Sequence, residues 1–281
     1  MIREEPQRPM SLEEFRLLRD LIYDYCGIYF QDDSRHLVQR RLIPRLDTLA
    51  LPSFSDYYRY LRYDPSRRGE LEEVVERVTT NETYFFREAN QLAALSDEIL
   101  PEIHSRRPRG RRLAIWSAGC ATGEEAYTVA ILVLESGLFG EWDVRVFGND
   151  ISRRVLQVAR KGAYGRSSFR ATEERYVRRY FRPVEGKFQL RDEVKSLASF
   201  GHLNLLDEDM LAIVGDVDII LCRNVLIYFD AAARKRVVAT FHRKLVKGGY
   251  LLLGHSESLL NLSTDYELVH LRRDMVYRRP R

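Results

Sequence analysis

Leu113-Ala114-Ile115-Trp116-Ser117-Ala118-Gly119-Cys120-Ala121-Thr122-Gly123-Glu124-Glu125-Ala126-Tyr127 is the stretch from which the rest of the chain is read. It opens as a short apolar run that ends in small residues. Two glycines and a threonine follow, then a helical pattern. The spacing predicts a buried parallel strand, a tight turn and a helix start. Glycine lets the backbone take positive φ and lets a ligand approach where no Cβ stands in the way. Open α/β sheets bind their ligands beyond the carboxyl ends of the strands. The turn is therefore expected to form the floor of a cofactor site.

The spacing also bears on which cofactor. A dinucleotide fold uses G-x-G-x-x-G, with pyrophosphate on the helix N-terminus. Here the glycines stand as Gly119-x-x-x-Gly123, and two carboxylates, Glu124 and Glu125, follow at once. Carboxylates there suit the helix dipole but repel phosphate. A cofactor without phosphates fits better, and S-adenosylmethionine is one. The glycine spacing alone is also compatible with a plain strand-helix turn in a structural α/β domain.

Length and composition set outer limits. The chain has 281 residues, enough for one large domain or two smaller ones, and is 45% apolar and 31% charged, as in ordinary globular proteins. Lys and Arg number 45 against 41 Asp and Glu, a net charge of +4 that does not argue for nucleic acid. Cys26, Cys120 and Cys222 are odd in number and widely spaced, which suggests neither a disulfide framework nor a metal site. No secretory segment and no apolar run of membrane length is apparent. A cytoplasmic protein without membrane insertion is expected.

Residues 1–90 read as a helical domain with its linker. Ser11 and Glu14 form a capping-box pattern, and Leu12, Phe15, Leu18 and Ile22 recur at helical spacing up to a stop at Gly27. A second helix has Val38, Leu42, Leu46 and Leu49 on one face. Arg40 lies opposite, and Arg41 and Arg45 flank the apolar stripe. Pro44 inside this segment predicts a kink or a shortened helix. Six arginines fall between Asp33 and Arg62. They read either as a solvated face or as a docking surface for an acidic partner. Further short helices are expected from Ser53 and from Leu71 to Val78. Thr79 to Glu88 then runs polar, aromatic and basic. Either it is a helix cap followed by core aromatics, or Asn81, Thr83 and Arg87 reach a ligand.

Residues 91–281 read as the α/β domain. A helix is expected over 91–104, followed by a basic loop from His104 to Arg112. The core strand and turn come next, with a helix to about Ser136. A second strand, Val144 to Gly148, ends in Asn149-Asp150. An acid at that tip is where nucleotide-binding α/β folds hold ribose hydroxyls; otherwise it is a helix N-cap. Residues 163–200 read as a small β insertion, with Phe188-Leu190 and Leu197-Phe200 paired around a Gly186 turn. Asn204-Leu205-Leu206 is expected at a strand end, suited to an adenine edge. Val217 to Asn224 is a near-continuous apolar strand whose end carries Arg223, Asn224 and Tyr228. A helix over 231–246, a stop at Lys247-Gly248-Gly249, a strand from Tyr250 to Gly254 and a terminal antiparallel pair complete the pattern.

Asn81-x-Thr83-x-x-x-Arg87, Trp116-Ser-Ala-Gly-Cys-Ala-Thr-Gly-Glu-Glu125, Asn149-Asp150, Asn204-Leu205-Leu206, Cys222-Arg-Asn-Val-Leu-Ile-Tyr-Phe229 and Gly254-His-Ser-Glu257 occur in that order. Together they resemble the CheR family of chemotaxis receptor methyltransferases, from about residue 11 to 278. The resemblance implies a Rossmann-like methyltransferase sheet with a small all-α N-terminal domain and a small β-subdomain insertion. It implies transfer of a methyl group from S-adenosylmethionine to glutamate side chains on the cytoplasmic helices of methyl-accepting receptors. The esters formed tune sensory adaptation, and S-adenosylhomocysteine is the product. By position, Asn81, Thr83, Arg87, Glu125, Asp150, Asn204, Leu205, Arg223 and Asn224 are expected to contact the cofactor. The choice between Glu124 and Glu125 is open. Arg87, Arg223 and Tyr228 are expected nearest the transferred methyl. The arginine-bearing second helix resembles the family's receptor-docking element. The short Tyr180-to-Phe188 segment resembles members that need no receptor C-terminal pentapeptide. A monomer is expected.

The chemistry accounts for those residue types. Joining a sulfonium to a carboxylate cancels two charges, so a drier site favours it. A glutamate, with a pKa of roughly 4.3, is already ionised near neutrality, so no strong base is needed. The protein must hold oxygen, methyl and sulfur in line, at roughly 3–3.5 Å between nucleophile and carbon. Arg87 and Arg223 each suit a carboxylate, one on the cofactor and one on the substrate. Tyr228 suits the acceptor oxygen. The plainer readings are a core aromatic at Tyr228 and a structural ion pair at Arg223. A non-catalytic cofactor-binding scaffold, a methyltransferase for RNA or a small molecule, and a dehydrogenase are the competing functions. The intact polar set argues against the first, the charge against RNA, and the glycine spacing against the last.

Overall fold

The computed structural model describes residues 8–106 and 112–281. The middle of the basic loop expected between His104 and Arg112 lies outside the described residues. By contact the chain divides into two compact units. One runs through Thr80 and includes Tyr228–Ala233; the other comprises Asn81–Ile227 and Arg234–Arg281. The linker residues 81–90 thus group with the α/β unit.

The first unit is helical. α1 (Leu12–Cys26) starts at the Ser11 capping box, with both reciprocal bonds formed, and ends at Gly27 in the left-handed conformation. α2 (Arg35–Thr48) runs through Pro44 without breaking, and buries Val38, Leu42 and Leu46. α3 (Phe54–Tyr63) is capped by Ser53, and α4 (Arg67–Val78) follows. Two of the six arginines are spent inside this unit. Arg45 donates twice to the buried Glu70, at 2.9 and 2.5 Å, and Tyr57 donates to the same carboxylate at 2.6 Å. Arg41 donates to the carbonyls of Val78 and Thr79 at the C-terminal end of α4, where carbonyls lack helical partners. Arg59 makes an exposed pair with Asp56 at 3.1 Å, and among the described residues Arg35, Arg40 and Arg62 have no carboxylate partner.

The second unit begins with a continuous helical run. It comprises α5 (Ala89–Ala94), a π turn (Leu95–Ile99) and α6 (Leu100–Arg106), longer than the expected 91–104. Next come β1 (Arg112–Ala118), α7 (Glu124–Ser136), β2 (Asp143–Asp150) and α8 (Arg153–Lys161). The insertion holds β3 (Ala163–Tyr164), α9 (Glu174–Tyr180), β4 (Phe181–Val184), β5 (Lys187–Leu190) and α10 (Asp192–Lys195). The chain returns through β6 (Ala198–His202), α11 (Glu208–Leu211), β7 (Val217–Cys222), α12 (Ala231–Lys244) and β8 (Leu245–Leu253). β9 (Glu267–His270) and β10 (Met275–Arg278) end it.

The main sheet has seven strands in the order β6-β2-β1-β7-β8-β10-β9. The first five are parallel, and β10 runs antiparallel to β8 and β9. Chain order reverses between β1 and β7, and that is where an open α/β sheet leaves a crevice beyond its strand ends. Ala126, Val129, Ala130 and Val133 of α7 share one buried apolar cluster with Leu113, Ile115, Val146, Ile219 and Leu221 of the strands. On the opposite face Trp116 meets Phe241 of α12 edge-on at 5.2 Å. Both faces are covered, so β7 is buried at every position. Its one charge, Asp218, accepts a bond from the Ala114 N–H at 2.9 Å.

Two expectations need correction. Leu197-Phe200 does not pair within the insertion. There β5 lies between β3 and β4, while residues 198–202 form the parallel edge strand beside β2. A short apolar run carries no mark of its partner, and both pairings satisfy it. Nor does Lys247-Gly248-Gly249 stop a helix. α12 ends at Lys244, and β8 begins at Leu245 and runs through the glycines. There the register against β7 slips between Val217 and Ile219, and a Cβ on Gly249 would stand 2.9 Å from the Asp218 carbonyl. Strand glycines serve such irregular close approaches. Among the described residues no helix is long and apolar enough to cross a membrane.

Candidate active site

The turn after β1 is held from β2. The Asn149 carbonyl accepts the N–H groups of Gly119 and Cys120 at 2.9 and 2.8 Å. Asp150 accepts from Ala121 N–H through one oxygen and from Ser152 N–H through the other, both at 2.9 Å. The N-cap of α8 is Ser152, whose hydroxyl accepts from Val155 N–H. Asp150 is therefore not that cap. Its buried carboxylate ties the turn to the tip of β2. The Asn149 side chain accepts from the Trp116 indole at 2.7 Å and donates to the Leu203 carbonyl at 3.1 Å. That brings Leu203-Asn204-Leu205 alongside the same tip, with Asn204 turned onto Leu206 N–H at 3.0 Å and Leu205 buried.

Gly119 shows why the turn needs glycine. Its φ is +77°, and a Cβ there would stand 2.5 Å from Val225 Cγ2. The loop after β7 therefore presses directly on the turn after β1, with no room for a side chain between them.

Glu124 and Glu125 face different neighbours. Glu124 is buried and accepts from the Thr122 hydroxyl at 2.6 Å and the Ser168 hydroxyl at 3.0 Å. Glu125 accepts from the Ser117 hydroxyl at 2.7 Å and pairs with Arg223 at 3.3 Å. Glu125 is thus the member of the pair on the strand-end side. Burial pushes both carboxyls up, with Arg223 opposing it at Glu125 and the Thr122 hydroxyl opposing it at Glu124.

Arg223 is the charge centre. Its side chain is 3% exposed and lies between Glu88, 11% exposed, and Glu125, 14% exposed. It donates to Glu88 from Nε and Nη2 at 3.1 and 3.0 Å, and to the Arg87 carbonyl at 2.5 Å. Its reading as an ion pair is what the structure shows. Glu88 also meets His255 Nδ1 at 3.1 Å. Burial alone would push the Glu88 carboxyl up, but the Arg223 charge and the bonds from His255 and Arg223 together hold it below its ordinary value. Arg87 itself donates to the Glu82 carbonyl at 3.1 Å, and its guanidinium lies 5.7 Å from the Tyr84 ring. It has no carboxylate partner among the described residues. Asn81 and Thr83 precede it, both half-buried.

Asn224 sits in the left-handed region, with φ +59°. Its Oδ1 is buried with no hydrogen-bond partner among the described residues. Such an acceptor calls for a donor, and a cofactor carrying an ammonium and an adenine amino group supplies two. Tyr228 groups with the helical unit instead, where its carbonyl accepts from Tyr29 N–H at 3.0 Å.

Sequence reasoning missed two participants. In the sequence Glu88 is only the end of a polar-aromatic run, and its pairing with Arg223 has no local signal. Glu257, within Gly254-His-Ser-Glu257, is the other. Its carboxylate accepts four backbone N–H groups, from Asn224, Val225, Ile227 and Gly254.

The burial of Glu124 gives a pH expectation. A carboxyl whose folded pKa lies above its unfolded value of 4.5 binds its proton more tightly in the folded state. Its contribution to stability is then present at low pH and declines as pH rises through that window. Glu124→Gln is expected to unfold in urea at or above the wild-type midpoint near neutral pH, with a flatter decline above pH 4.5. A loss of more than about 1 kcal/mol would show instead that the two hydroxyls require the charge.

Residues 81–275 match the family described as CheR methyltransferase, SAM binding domain, and residues 13–79 match CheR methyltransferase, all-alpha domain. The chain is 35% identical to chemotaxis protein methyltransferase 2 of Vibrio cholerae, over 95% of this chain and 93% of that one. It is 36% identical to the chemotaxis protein methyltransferase of Salmonella typhimurium, over 92% and 88% of the two chains. The Escherichia coli protein of that name is 35% identical, over 92% and 89%. A polar cradle at the β1/β7 crevice, a buried acceptor awaiting a donor and near-full-length relatives converge: this chain belongs to the CheR methyltransferase family and is an S-adenosylmethionine-dependent methyltransferase of chemotaxis.

Proposed function

We propose that the chain methylates glutamate side chains on the cytoplasmic helices of chemotaxis receptors, acting as a monomer. The observation that carries this reading is the contrast between the two arginines. Arg223 is saturated by Glu88 and Glu125, whereas Arg87 has no carboxylate partner among the described residues. A site that keeps one guanidinium for an incoming carboxylate suits a carboxylate acceptor. The relatives carry the name of chemotaxis methyltransferases, and receptor glutamates are carboxylates of that kind.

When bound, S-adenosylmethionine supplies a methyl group on a positively charged sulfur. The roles of the chain's own residues follow from their positions. Asn81, Thr83, Glu125, Asp150, Asn204, Leu205 and Asn224 hold the cofactor. Asp150, at the tip of β2, is the residue assigned to the ribose diol, and Asn224 Oδ1 is assigned to an N–H. Arg223 fixes Glu125 and Glu88 and, through the Arg87 carbonyl, the backbone at Arg87. Arg87 takes a carboxylate, and the Tyr228 hydroxyl donates to the acceptor oxygen. In the insertion, β4 and β5 are joined by Glu185-Gly186 alone, with φ +49° and +74°, the geometry of a two-residue hairpin turn. So short a connection supports docking that needs no receptor C-terminal pentapeptide.

The test is methyl transfer from labelled S-adenosylmethionine to a receptor cytoplasmic fragment, with and without its last five residues. Base-labile label on both is expected. Label on the full fragment alone would reject pentapeptide independence, and label on neither would reject the substrate. In the same assay Tyr228→Phe is expected to lower kcat by about tenfold or more while cofactor affinity holds. A wild-type kcat would remove Tyr228 from the reaction.

A further inference from the structure

The Glu257 carboxylate stands at the centre of an irregular loop pair. One oxygen accepts from Asn224 N–H at 2.7 Å and Gly254 N–H at 2.8 Å. The other accepts from Val225 N–H at 2.9 Å and Ile227 N–H at 3.2 Å. Glu257 is itself fixed by a turn, its own N–H donating to the Gly254 carbonyl at 2.9 Å. The two loops approach so closely that a Cβ on Gly254 would stand 2.9 Å from Asn224 N and 3.0 Å from Asn224 Nδ2.

These four N–H groups have no strand or helix bond to satisfy them; the Asn224, Val225 and Gly254 donors are part-buried, where leaving one unpaired is costly, and the Ile227 donor is exposed. One carboxylate, an acceptor at both oxygens, meets all four. Two features of the 224–227 backbone depend on that anchor. Asn224 is held at φ +59°, with its unpartnered Oδ1 buried. Val225 is held against Gly119, on the turn after β1. Arg223, one residue earlier, is fixed separately by Glu88 and Glu125.

We propose that Glu257 is a positioning residue for the cofactor site. By gathering four backbone N–H groups it fixes the 224–227 loop, and through it the direction of Asn224 Oδ1. The inference rests on the cofactor roles given above for Asn224 and its neighbours. It separates affinity from folding, because the ion-paired centre at Arg223 does not pass through Glu257.

Glu257→Gln replaces one accepting oxygen by an NH2 group that faces two N–H donors. Calorimetric titration with S-adenosylhomocysteine is expected to show binding weakened by at least about tenfold. Hydrogen exchange is expected to accelerate in peptides spanning 223–228, while the β1 and β7 amides keep wild-type protection. Adding Asn224→Ala to Glu257→Gln should weaken binding little further, since the two changes remove one interaction. Glu257→Asp keeps the charge but draws the oxygens back by a methylene, and is expected between wild type and Gln. If the Gln variant does not fold, the Asp variant is judged by the same readouts. Wild-type affinity, unchanged exchange in 223–228 or full additivity with Asn224→Ala would each overturn the proposal. Failure of the wild-type chain to bind S-adenosylhomocysteine would overturn the cofactor reading itself, and with it the positioning role. Exchange rates would still report whether Glu257 holds the loop.

Discussion

Arg223→Met is expected to destabilise the fold by about 3–5 kcal/mol and to abolish cofactor binding. Methionine fills much of the space but donates no hydrogen bond. It leaves Glu88 and Glu125 largely buried, with the cation between them gone, and the Arg87 carbonyl without its 2.5 Å donor. The cost of a broken buried pair comes mainly from the stranded partner, and here there are two.

The deficit should carry a pH signature. In the wild type the Glu88 pKa is lowered, so Glu88 contributes stability that is present above its unfolded value of 4.5 and lost as pH falls through the folded pKa. In the variant that contribution disappears. Both carboxyls are then pushed up by burial with no opposing guanidinium. The gap between variant and wild type in urea unfolding should be widest at neutral pH and narrow as both carboxyls protonate. Adding Glu88→Gln to Arg223→Met should recover part of the loss. A small, pH-independent deficit would mean that the pairs contribute little and that Arg223 serves the ligand alone.

Gly119→Ala is expected to have the next largest effect, about 2–5 kcal/mol, from two sources that a control separates. An alanine at positive φ costs about 1–2 kcal/mol from the Cβ and carbonyl contact. Forcing an atom into a filled space adds about 1–3 kcal/mol. Gly137, the C-cap of α7, has φ +65° with open space around its missing Cβ. Gly137→Ala therefore measures the conformational part alone. At Gly119 the new methyl meets Val225 Cγ2, and relief requires the 224–227 loop to move off the turn. Gly119→Ala should therefore also weaken S-adenosylhomocysteine binding, whereas Gly137→Ala should leave it intact. Equal destabilisation of the two variants, with unchanged affinity in both, would show that the loop yields freely and does not define the site.

What the sequence determined by itself was whatever short-range physics dictates. The capping box at Ser11, the left-handed stop at Gly27, the apolar stripe of Val38, Leu42 and Leu46, and the turn from Gly119 to Gly123 are all read from residues within one or two turns of each other. The buried parallel strands announce themselves by unbroken apolar runs, because both of their faces are covered. Together these place the crevice, and with it most of the candidate polar residues.

The tertiary structure alone decided how those residues are spent. Residues 198–202 join β2 and not the insertion, since a short apolar strand is indifferent to its partner until the competing strands are assembled. Arg223 goes to Glu88, far away in the chain, whereas Arg87 has no carboxylate partner among the described residues. Arg41 and Arg45 are drawn into the helical unit and Arg59 onto Asp56, which leaves three of the six arginines without a carboxylate partner among the described residues. Glu257 becomes the anchor of a loop some thirty residues before it. Hydrophobic periodicity repeats along the chain and is legible there. A hydrogen bond or ion pair joins two residues once, across an arbitrary separation, and leaves no pattern in the sequence between them.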